Sequence, residues 1–582
     1  MCGIAGGMGK DGRPPSPEIL GKLTDALRRR GPDGDGQHVA DHVGLVHTRL
    51  AIIDLEHGNQ PFVSSEGVAL VANGEIYNDL ELRQGLTESA FQTGSDNESI
   101  LHLYLKRGFE FAEDLSGMYA AALYDPRCQS LVLARDPFGI KPLYTVETDD
   151  GFWFASEPQA LIAAGVVIAE ENEQARDQLL ALQYTCGSET AFRNIKRVEP
   201  GETLVVRAGR IINRLHVDPL LKHEPFDGCP VKNFDRLWMS AVNRHRRSDT
   251  PYGLFLSGGV DSAAVLAAMA KLEDRPVVAY TASFVGGDFH HELDQARVVA
   301  KAAGADHRAI EITAADFWAD LPEMVACMDD PVADYAIVPT FALAKVAKED
   351  VKVILTGEGG DEIFAGYGRY RAGLRPWPFQ KKPWLRNSLG KTNVLRCQSE
   401  NWREDIDQSE REFKKNDWSK LQALQALDIA YWLPNDLLMK VDRCLMAHGL
   451  EGRVPFLDRD LAAFGFNSAD GDKVKGRLGK QMVRHWLAKE MPEAQPYSKK
   501  RGFSVPVGYW IGQQGKALAP LVSKQAGVAA ICNTEAVHQM FVNMTPATEF
   551  PAWQLLFYAL WHQVHMTGLP RNGSVFEVLS QR

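Results

Sequence analysis

Leu254-Phe255-Leu256-Ser257-Gly258-Gly259-Val260-Asp261-Ser262 decides how the larger part of this 582-residue chain is built. Three apolar residues read as the end of a buried strand, and residues 263–271 as the helix that follows. Between them lies a short loop of glycines and serines. Gly258 and Gly259 let backbone N–H groups converge on an anion and keep side chains out of its way. The helix N-terminus adds partial positive charge at the same place. Leu256, Ser257, Gly258, Gly259, Val260, Asp261 and Ser262 are therefore candidate phosphate-binding residues. Asp261 has the wrong charge for a phosphate and the right one for a cation, which makes it a candidate metal ligand. A capped tight turn also uses Ser-Gly-Gly, but six fixed positions after an apolar run are more specific.

Downstream, strands and helices alternate. Residues 276–284, 307–312 and 351–355 read as strands, and 292–303, 314–328 and 338–347 as helices. This alternation argues for a doubly wound parallel sheet with ligands at the strands' C-terminal ends. The last strand delivers Thr356-Gly357-Glu358-Gly359-Gly360-Asp361-Glu362. Acidic residues in a glycine-rich loop flanked by apolar runs need cations. Asp361, with Asp261, suits Mg²⁺ on a pyrophosphate. Glu358 suits the proton that ammonia loses on attacking an activated acyl group. Gly476-Arg477-Leu478-Gly479-Lys480 opens a further helix, where a lysine is more often solvated; it is mainly the resemblance named below that makes Lys480 a candidate to neutralise an α-phosphate in a transition state. The loop at 257–262 resembles the pyrophosphate-binding loop of ATP pyrophosphatases and lacks the Gly-Lys-Ser/Thr ending of the Walker type. Thr356, Gly357 and Glu358 join its ATP-side set.

The chain opens Met1-Cys2-Gly3-Ile4. A small second residue allows removal of the initiator Met, leaving Cys2 with a thiol and a free α-amine. That amine, with a reference pKa of about 7.7–8.0, is partly unprotonated near neutrality and can serve as base for its own thiol. Hydrolysis of a glutamine side-chain amide also needs an oxyanion site and a clamp for the amino-acid head group. Asn73 (side-chain amide) and Gly74 (N–H) are candidate oxyanion donors. Arg49 can hold the carboxylate bidentately. Asp96, beside Glu75, can accept from the ammonium.

Met-Cys-Gly-Ile, Arg30-Gly31-Pro32-Asp33, Asn73-Gly74-Glu75-Ile76-Tyr77-Asn78, Thr93-Gly94-Ser95-Asp96 and Arg135-Asp136-Pro137-Phe138-Gly139 follow one another in order. This set resembles the N-terminal-nucleophile glutaminase domain of class II glutamine amidotransferases, whose four-layer αββα fold is the expectation for residues 1–212. Residues 213–232, proline-bearing and aperiodic, read as a linker. From 233 to 582 the chain resembles the asparagine synthetase superfamily, with the ATP pyrophosphatase fold and added helices. The resemblance implies ATP-dependent adenylation of a carboxylate, an internal passage for ammonia, release of AMP and pyrophosphate, and a homodimer. It points to L-aspartate as acceptor, with a sugar acid, peptide or secondary-metabolite acid as the alternative.

Composition bounds the rest. The chain is 45% apolar and 24% charged, with 64 basic against 75 acidic side chains and a net charge of −11. That balance argues against non-specific nucleic-acid binding. Eight scattered cysteines without a Cys-x-x-Cys pair fit a reducing cytoplasm rather than a disulfide framework. No signal peptide is apparent. Residues 555–566 are apolar but short and interrupted by His562, Gln563 and His565, so they read as a packed helix and not a membrane span. Arg28-Arg29-Arg30 reads as the end of a helix.

An amino-acid acceptor needs a cation for its α-carboxylate and an anion for its ammonium. The segment 329–339 carries Asp329, Asp330 and Asp334 but no arginine. Lys440, Arg443 and Arg453 are the candidate cations from later segments.

Overall fold

The computed structural model describes residues 2–86, 90–220, 228–285, 290–376, 378–379, 387–397, 401–414, 416–498 and 505–581. The first part of the chain forms two six-stranded sheets, antiparallel throughout. One runs in the order Lys196–Arg197, Tyr144–Glu147, Gly151–Ala155, Gly3–Gly9, Val43–Arg49, Gly34–Ala40. The other runs Arg210–His216, Glu202–Arg207, Ser130–Arg135, Gly117–Asp125, Ala69–Ile76, Phe62–Val63.

Period-two patterning fixes how the sheets stack. Ala120, Ala122 and Tyr124 pack between the sheets with Ile4, Met8 and Leu45. Tyr119, Ala121 and Leu123 face the other way, against Ile100, Leu103 and Tyr104 of helix Glu98–Arg107. The outer face of the first sheet packs on helices Pro17–Leu27, Pro158–Ala163 and Glu173–Leu182. The layers are therefore α, β, β, α, as expected.

The second part is built on a five-stranded parallel sheet ordered Asp306–Ile312, Val278–Phe284, Tyr252–Phe255, Val353–Leu355, Glu451–Arg453. In chain order the central strand comes first. The chain then builds outward on one side before crossing to the other. The strand order therefore reverses between Tyr252–Phe255 and Val353–Leu355, where a crevice opens beyond their C-terminal ends. The two loops singled out in the sequence leave those two strands.

Two boundaries and one strand differ from the sequence reading. Helix Val260–Leu272 starts three residues earlier than the expected 263, so Asp261 and Ser262 lie in its first turn. Strand Arg210–His216 pairs with Glu202–Arg207 and runs through the expected limit at 212; its mostly exposed polar residues hide any alternation. The segment 221–227 of the expected linker lies outside the described residues. The edge strand Glu451–Arg453 was not anticipated, because Glu-Gly-Arg carries no apolar run although all three residues are buried.

The two parts share their cores. Leu50, Ile52, Met118 and Ile140 of the first belong to one apolar cluster with Leu254, Leu256, Leu355 and Leu437 of the second. Among the described residues no helix is long and apolar enough to cross a membrane. Helix Glu549–Trp561 is instead buried from Pro551 onward.

Trp238 ties this second core together. It is fully buried on helix Pro230–His245 and stacks on Phe456 with ring centroids 4.3 Å apart. Trp238→Ala is expected to cost about 3–5 kcal/mol. The check is the denaturation midpoint of the second part, followed by tryptophan-independent circular dichroism; an unchanged midpoint would refute the packing role.

Two candidate active sites and the seam between them

Cys2 immediately precedes strand Gly3–Gly9 at the open end of the first sheet, where it is 8% exposed. Its backbone N–H donates to Asn73 Oδ1 at 2.9 Å, and its carbonyl accepts from Arg30 Nε at 3.2 Å. Burial pushes the thiol up, outweighing the N-terminal ammonium, the Leu50 amide and Arg49. With Oδ1 so engaged, the Asn73 amide nitrogen is left buried and without an acceptor among the described residues. A buried donor of that kind is costly unless a ligand completes it.

Strand Ala69–Ile76 carries Asn73, Gly74 and Glu75 in succession. The Gly74 carbonyl accepts from Asn97 Nδ2 at 3.1 Å. Glu75 Oε2 accepts from Arg453 at 2.9 Å, while its Oε1 is buried with no donor among the described residues. Asp96 accepts from the Ile76 N–H at 2.6 Å, and burial pushes its carboxyl up to about 6. Burial likewise raises Glu75, with Arg453 opposing it and Asp96 adding to it. Arg49 is fixed by its own loop, donating to Asn59 Oδ1 at 2.7 Å and to the Leu55 and Asp54 carbonyls at 3.1 and 2.5 Å. The fold thus brings Cys2, Asn73, Gly74, Glu75, Asp96 and Arg49 to one end of the sandwich.

At the crevice of the parallel sheet, Gly258 adopts φ +71°, a left-handed conformation that turns the loop sharply into the helix. Ser262 Oγ accepts from the Ser257 N–H at 3.2 Å and ties the loop to the first helical turn. The cavity here measures about 250 Å³. It is lined by Leu256, Ser257, Gly259, Asp261, Ser262, Thr356, Gly357, Glu358 and Asp361, so the ATP-side set converges apart from Gly258, Val260 and Lys480.

Lys480 lies just behind that wall. It caps helix Gln481–Glu490 in a left-handed conformation, φ +58°, and its Nζ reaches Asp261 and, at 2.7 Å, Asp361 Oδ1. Burial pulls its ammonium down, but these two carboxylates hold it above the ordinary lysine range. Gly366 leaves room for this arrangement, since a Cβ there would overlap Asp361 Oδ1 and Lys480 Cε. Two carboxylates that converge on one ammonium can also share a divalent cation with phosphate oxygens and water. Among the described residues no cluster of three His, Cys, Asp or Glu side chains forms a self-sufficient metal site. Burial raises the Glu358 carboxyl despite Lys440. Glu362, which accepts from Tyr367 at 2.6 Å, is pushed up by burial to about 8.

The candidates for the acceptor's charges do not all meet there. Lys440 does, lining the cavity with its Nζ 2.9 Å from Asp334 Oδ2. Arg443 is instead paired with Asp329 at 2.8 Å, and Asp330 with Arg197 at 2.6 Å, all buried at the junction of the two parts. Arg453 faces Glu75, on the other site. Asp329, Asp330, Arg443 and Arg453 are thus corrected from acceptor candidates to parts of the junction.

That junction holds residues the sequence reading missed. Arg30 is 1% exposed and reaches Asp442 through two hydrogen bonds of 2.8 and 3.2 Å, besides the Cys2 carbonyl. The helix ends at Leu27, as the basic run suggested, but Arg30 is no solvated end residue. Its partner lies 412 positions away, beyond any local pattern. Arg453 donates to Glu451 at 2.6 Å, to the His245 and Arg247 carbonyls at 2.9 and 2.6 Å, and to Glu75. Tyr77 lies against His245 with ring centroids 3.9 Å apart.

Two family models match this chain. One, described as "Glutamine amidotransferase domain", covers residues 1–216, and the other, "Asparagine synthase", covers 233–563. Asparagine synthetase (glutamine-hydrolyzing) 1 of Bacillus subtilis is 31% identical, covering 97% of each chain. Asparagine synthetase B (glutamine-hydrolyzing) of Escherichia coli is 30% identical over 87% of this chain and 82% of its own. Asparagine synthetase (glutamine-hydrolyzing) 3 of Arabidopsis thaliana is 30% identical over 94% of this chain and 85% of its own. Spanning both sites, this similarity makes the chain a member of the asparagine synthase family, a glutamine-dependent carbon–nitrogen ligase.

Proposed function

We propose that the protein makes L-asparagine from L-aspartate, glutamine and ATP. One observation carries the reading: Cys2, with an unsatisfied amide donor beside it, and the two-loop cavity sit at either side of one shared apolar cluster. In the first step the Cys2 thiol attacks the glutamine side-chain carbonyl and gives its proton to the α-amine. Asn73 Nδ2 and the Gly74 N–H donate to the oxyanion. Ammonia leaves, and water hydrolyses the thioester to glutamate. Arg49 holds the substrate carboxylate, while Asp96 and Glu75 receive its ammonium.

In the second step the β-carboxylate of L-aspartate attacks the α-phosphorus of ATP and pyrophosphate departs. The loop of residues 256–262, with Thr356 and Gly357, cradles the phosphates. Lys480 turns from Asp261 and Asp361 toward the α-phosphate. Asp261 and Asp361 would then hold Mg²⁺, which offsets the pyrophosphate charge. Ammonia attacks the acyl-adenylate, Glu358 takes the proton it loses, and AMP leaves.

Cys2→Ala is expected to abolish synthesis from glutamine and to leave synthesis from ammonium salts within about twofold of the parent. Product formation with each nitrogen source is the measurement. Glutamine-dependent synthesis by this variant would rule out Cys2 as the nucleophile.

Glu358→Gln is expected to form the adenylate but to slow ammonia attack by about 10²–10⁴-fold. Trapping with hydroxylamine reads the adenylate directly; a variant that neither traps nor releases pyrophosphate would place Glu358 in adenylation instead.

Glutamine binding should depend on pH through the Glu75–Asp96 pair. The carboxyl of Asp96 is raised to about 6 in the free protein. A protonated Asp96 must lose its proton to accept the ligand's ammonium, so affinity weakens as pH falls through that value and levels off above it. The limiting slope is about tenfold per pH unit. Calorimetry with the Cys2→Ala chain isolates binding from hydrolysis. Affinity that stays flat from about pH 7 to about pH 5 would exclude this role for Asp96.

A further inference from the structure

Lys473 is a buried lysine that the mechanism above does not use. It ends the short helix Asp470–Lys473 and is 0% exposed. Its Nζ donates to Gln425 Oε1 at 2.9 Å and to the Phe466 carbonyl at 2.8 Å. Both partners are neutral. Burial pulls the ammonium down to about 8, and Asp470, the charged group that acts on it, opposes this. Taking an ammonium out of water against neutral acceptors is costly. Packing alone gives no reason for a lysine here.

The first of those acceptors leads to the ATP-side site. Gln425, on helix Lys420–Leu427, is itself wholly buried. Its Nε2 donates to the Glu362 and Ile363 carbonyls, both at 2.7 Å. These carbonyls close helix Gly360–Ile363, the single turn that carries Asp361. So short a helix has few internal hydrogen bonds, and its last carbonyls need donors from elsewhere. An ammonium on the amide oxygen of Gln425 polarises the amide and strengthens the two bonds that its nitrogen donates. Through Gln425, Lys473 therefore caps the turn that holds Asp361.

The same lysine opens the segment that ends at Lys480. The Lys480 N–H donates to the Phe364 carbonyl at 2.9 Å, immediately after the capped turn. Both ends of segment 473–480 are thus tied to the successive carbonyls of Glu362, Ile363 and Phe364, one end through Gln425 and the other directly. The Lys480 ammonium meanwhile lies 2.7 Å from Asp361 Oδ1. The relay sets the spacing between the backbone of Lys480 and the carboxylate that its side chain must leave.

We propose that Lys473 is a positioning residue for adenylation: acting through Gln425, it holds Asp361 and Lys480 in register, so that the Lys480 side chain can turn to the α-phosphate while its backbone stays in place. This rests on the reading above for the roles of Lys480 and Asp361. It adds a residue that does not line the ATP-side cavity and acts on it from behind.

The test is steady-state pyrophosphate release by the full chain with ATP, ammonium and L-aspartate. Lys473→Met fills the same space without the charge. It should lower kcat by about 10- to 100-fold, the cost of a misplacement of about 1 Å, and leave KM for ATP within about threefold. Gln425→Met cuts the relay at its middle and should give the same loss. The double variant should lose no more than either single one, because the two residues act as one unit. In a Lys480→Met background, Lys473→Met should have no further effect. The glutaminase rate, within about twofold of the parent throughout, reports that each chain is folded. A kcat within about twofold of the parent in both single variants, additive losses in the double variant, or a further fall in the Lys480→Met background would each overturn the proposal. If Lys480→Met slowed release and Lys473→Met did not, the proposal alone would fall. If Lys480→Met left kcat unchanged, the role read for Lys480 would fall and the proposal with it. If the parent released pyrophosphate only with another acid, the L-aspartate reading alone would fall, and the same comparison with that acid would decide the proposal.

Discussion

The structure depends on a few ions that have been taken out of water at the junction of its two parts. Arg453 is the plainest case. It is wholly buried, and its guanidinium is consumed by Glu451 on its own strand, by two carbonyls at the end of helix Pro230–His245 and by Glu75 on the glutaminase strand. Arg30 repeats the pattern from the other direction, joining Asp442 to the Cys2 carbonyl. Buried pairs of this kind add little net stability, but removing one partner strands a charge and costs about 3–5 kcal/mol. They act as geometric constraints. Two sandwiched sheets and a parallel sheet have many apolar ways to pack; only one of them satisfies these guanidinium groups together. Each arginine also touches a group of the glutaminase site directly, so the orientation of the second part is built into the environment of Cys2 and Glu75.

Much of this was legible in the sequence, and the reason is local. A glycine-serine loop after an apolar run, an acidic loop after another, and a cysteine at position 2 followed by ordered motifs are short-range signals. Each is imposed by the chemistry of one turn. The resemblance carried by those ordered motifs implied the four layers, and the strand–helix alternation after Tyr252 gave the parallel sheet. The sequence concealed what is long-range. Glu451–Arg453 is a strand only because Val353–Leu355 lies beside it and Arg453 is satisfied from two other segments as well as from Glu451. The sorting of Asp329, Asp330 and Asp334 was equally invisible: three nearby acids point to Arg443, Arg197 and Lys440, on three different elements. Asp436, wholly buried with neither carboxylate oxygen hydrogen-bonded among the described residues, gave no signal at all, because an aspartate in an apolar helical stretch resembles any solvated helix residue.

The charge balance at the crevice explains why the site needs its substrates. Asp261, Asp361, Glu358 and Asp334 surround it, against Lys440 and Lys480. In this state Lys480 is paired with Asp261 and Asp361 and Lys440 with Asp334, and the carboxylates outnumber the lysines that an anionic nucleotide would meet. On the reading proposed above, ATP would enter with a cation shared by Asp261 and Asp361, and that event would release Lys480 from the pair. The cation requirement and the release of the lysine would then be one equilibrium rather than two. Gly366 matters to it through the absence of a side chain, since any Cβ would fill the space where Lys480 meets Asp361.

Nitrogen transfer sets the opposite electrostatic demand. Ammonia is a nucleophile only while unprotonated, and the ammonium ion is the form that water and carboxylates favour. The cluster containing Leu50, Ile52, Met118 and Ile140 with Leu254, Leu256 and Leu437 is apolar on both sides of the junction. Moving an ion through such surroundings is far costlier than moving a neutral molecule. At the far end the order is reversed. Glu358 lies where burial raises its carboxyl, so it holds a proton more readily than a solvated glutamate would. That is the property wanted in a group that accepts a proton once the carbon–nitrogen bond has begun to form. On the reading proposed above, apolar surroundings would keep ammonia neutral until it meets a carboxylate made more basic by its burial, and the proton transfer would follow attack and not precede it.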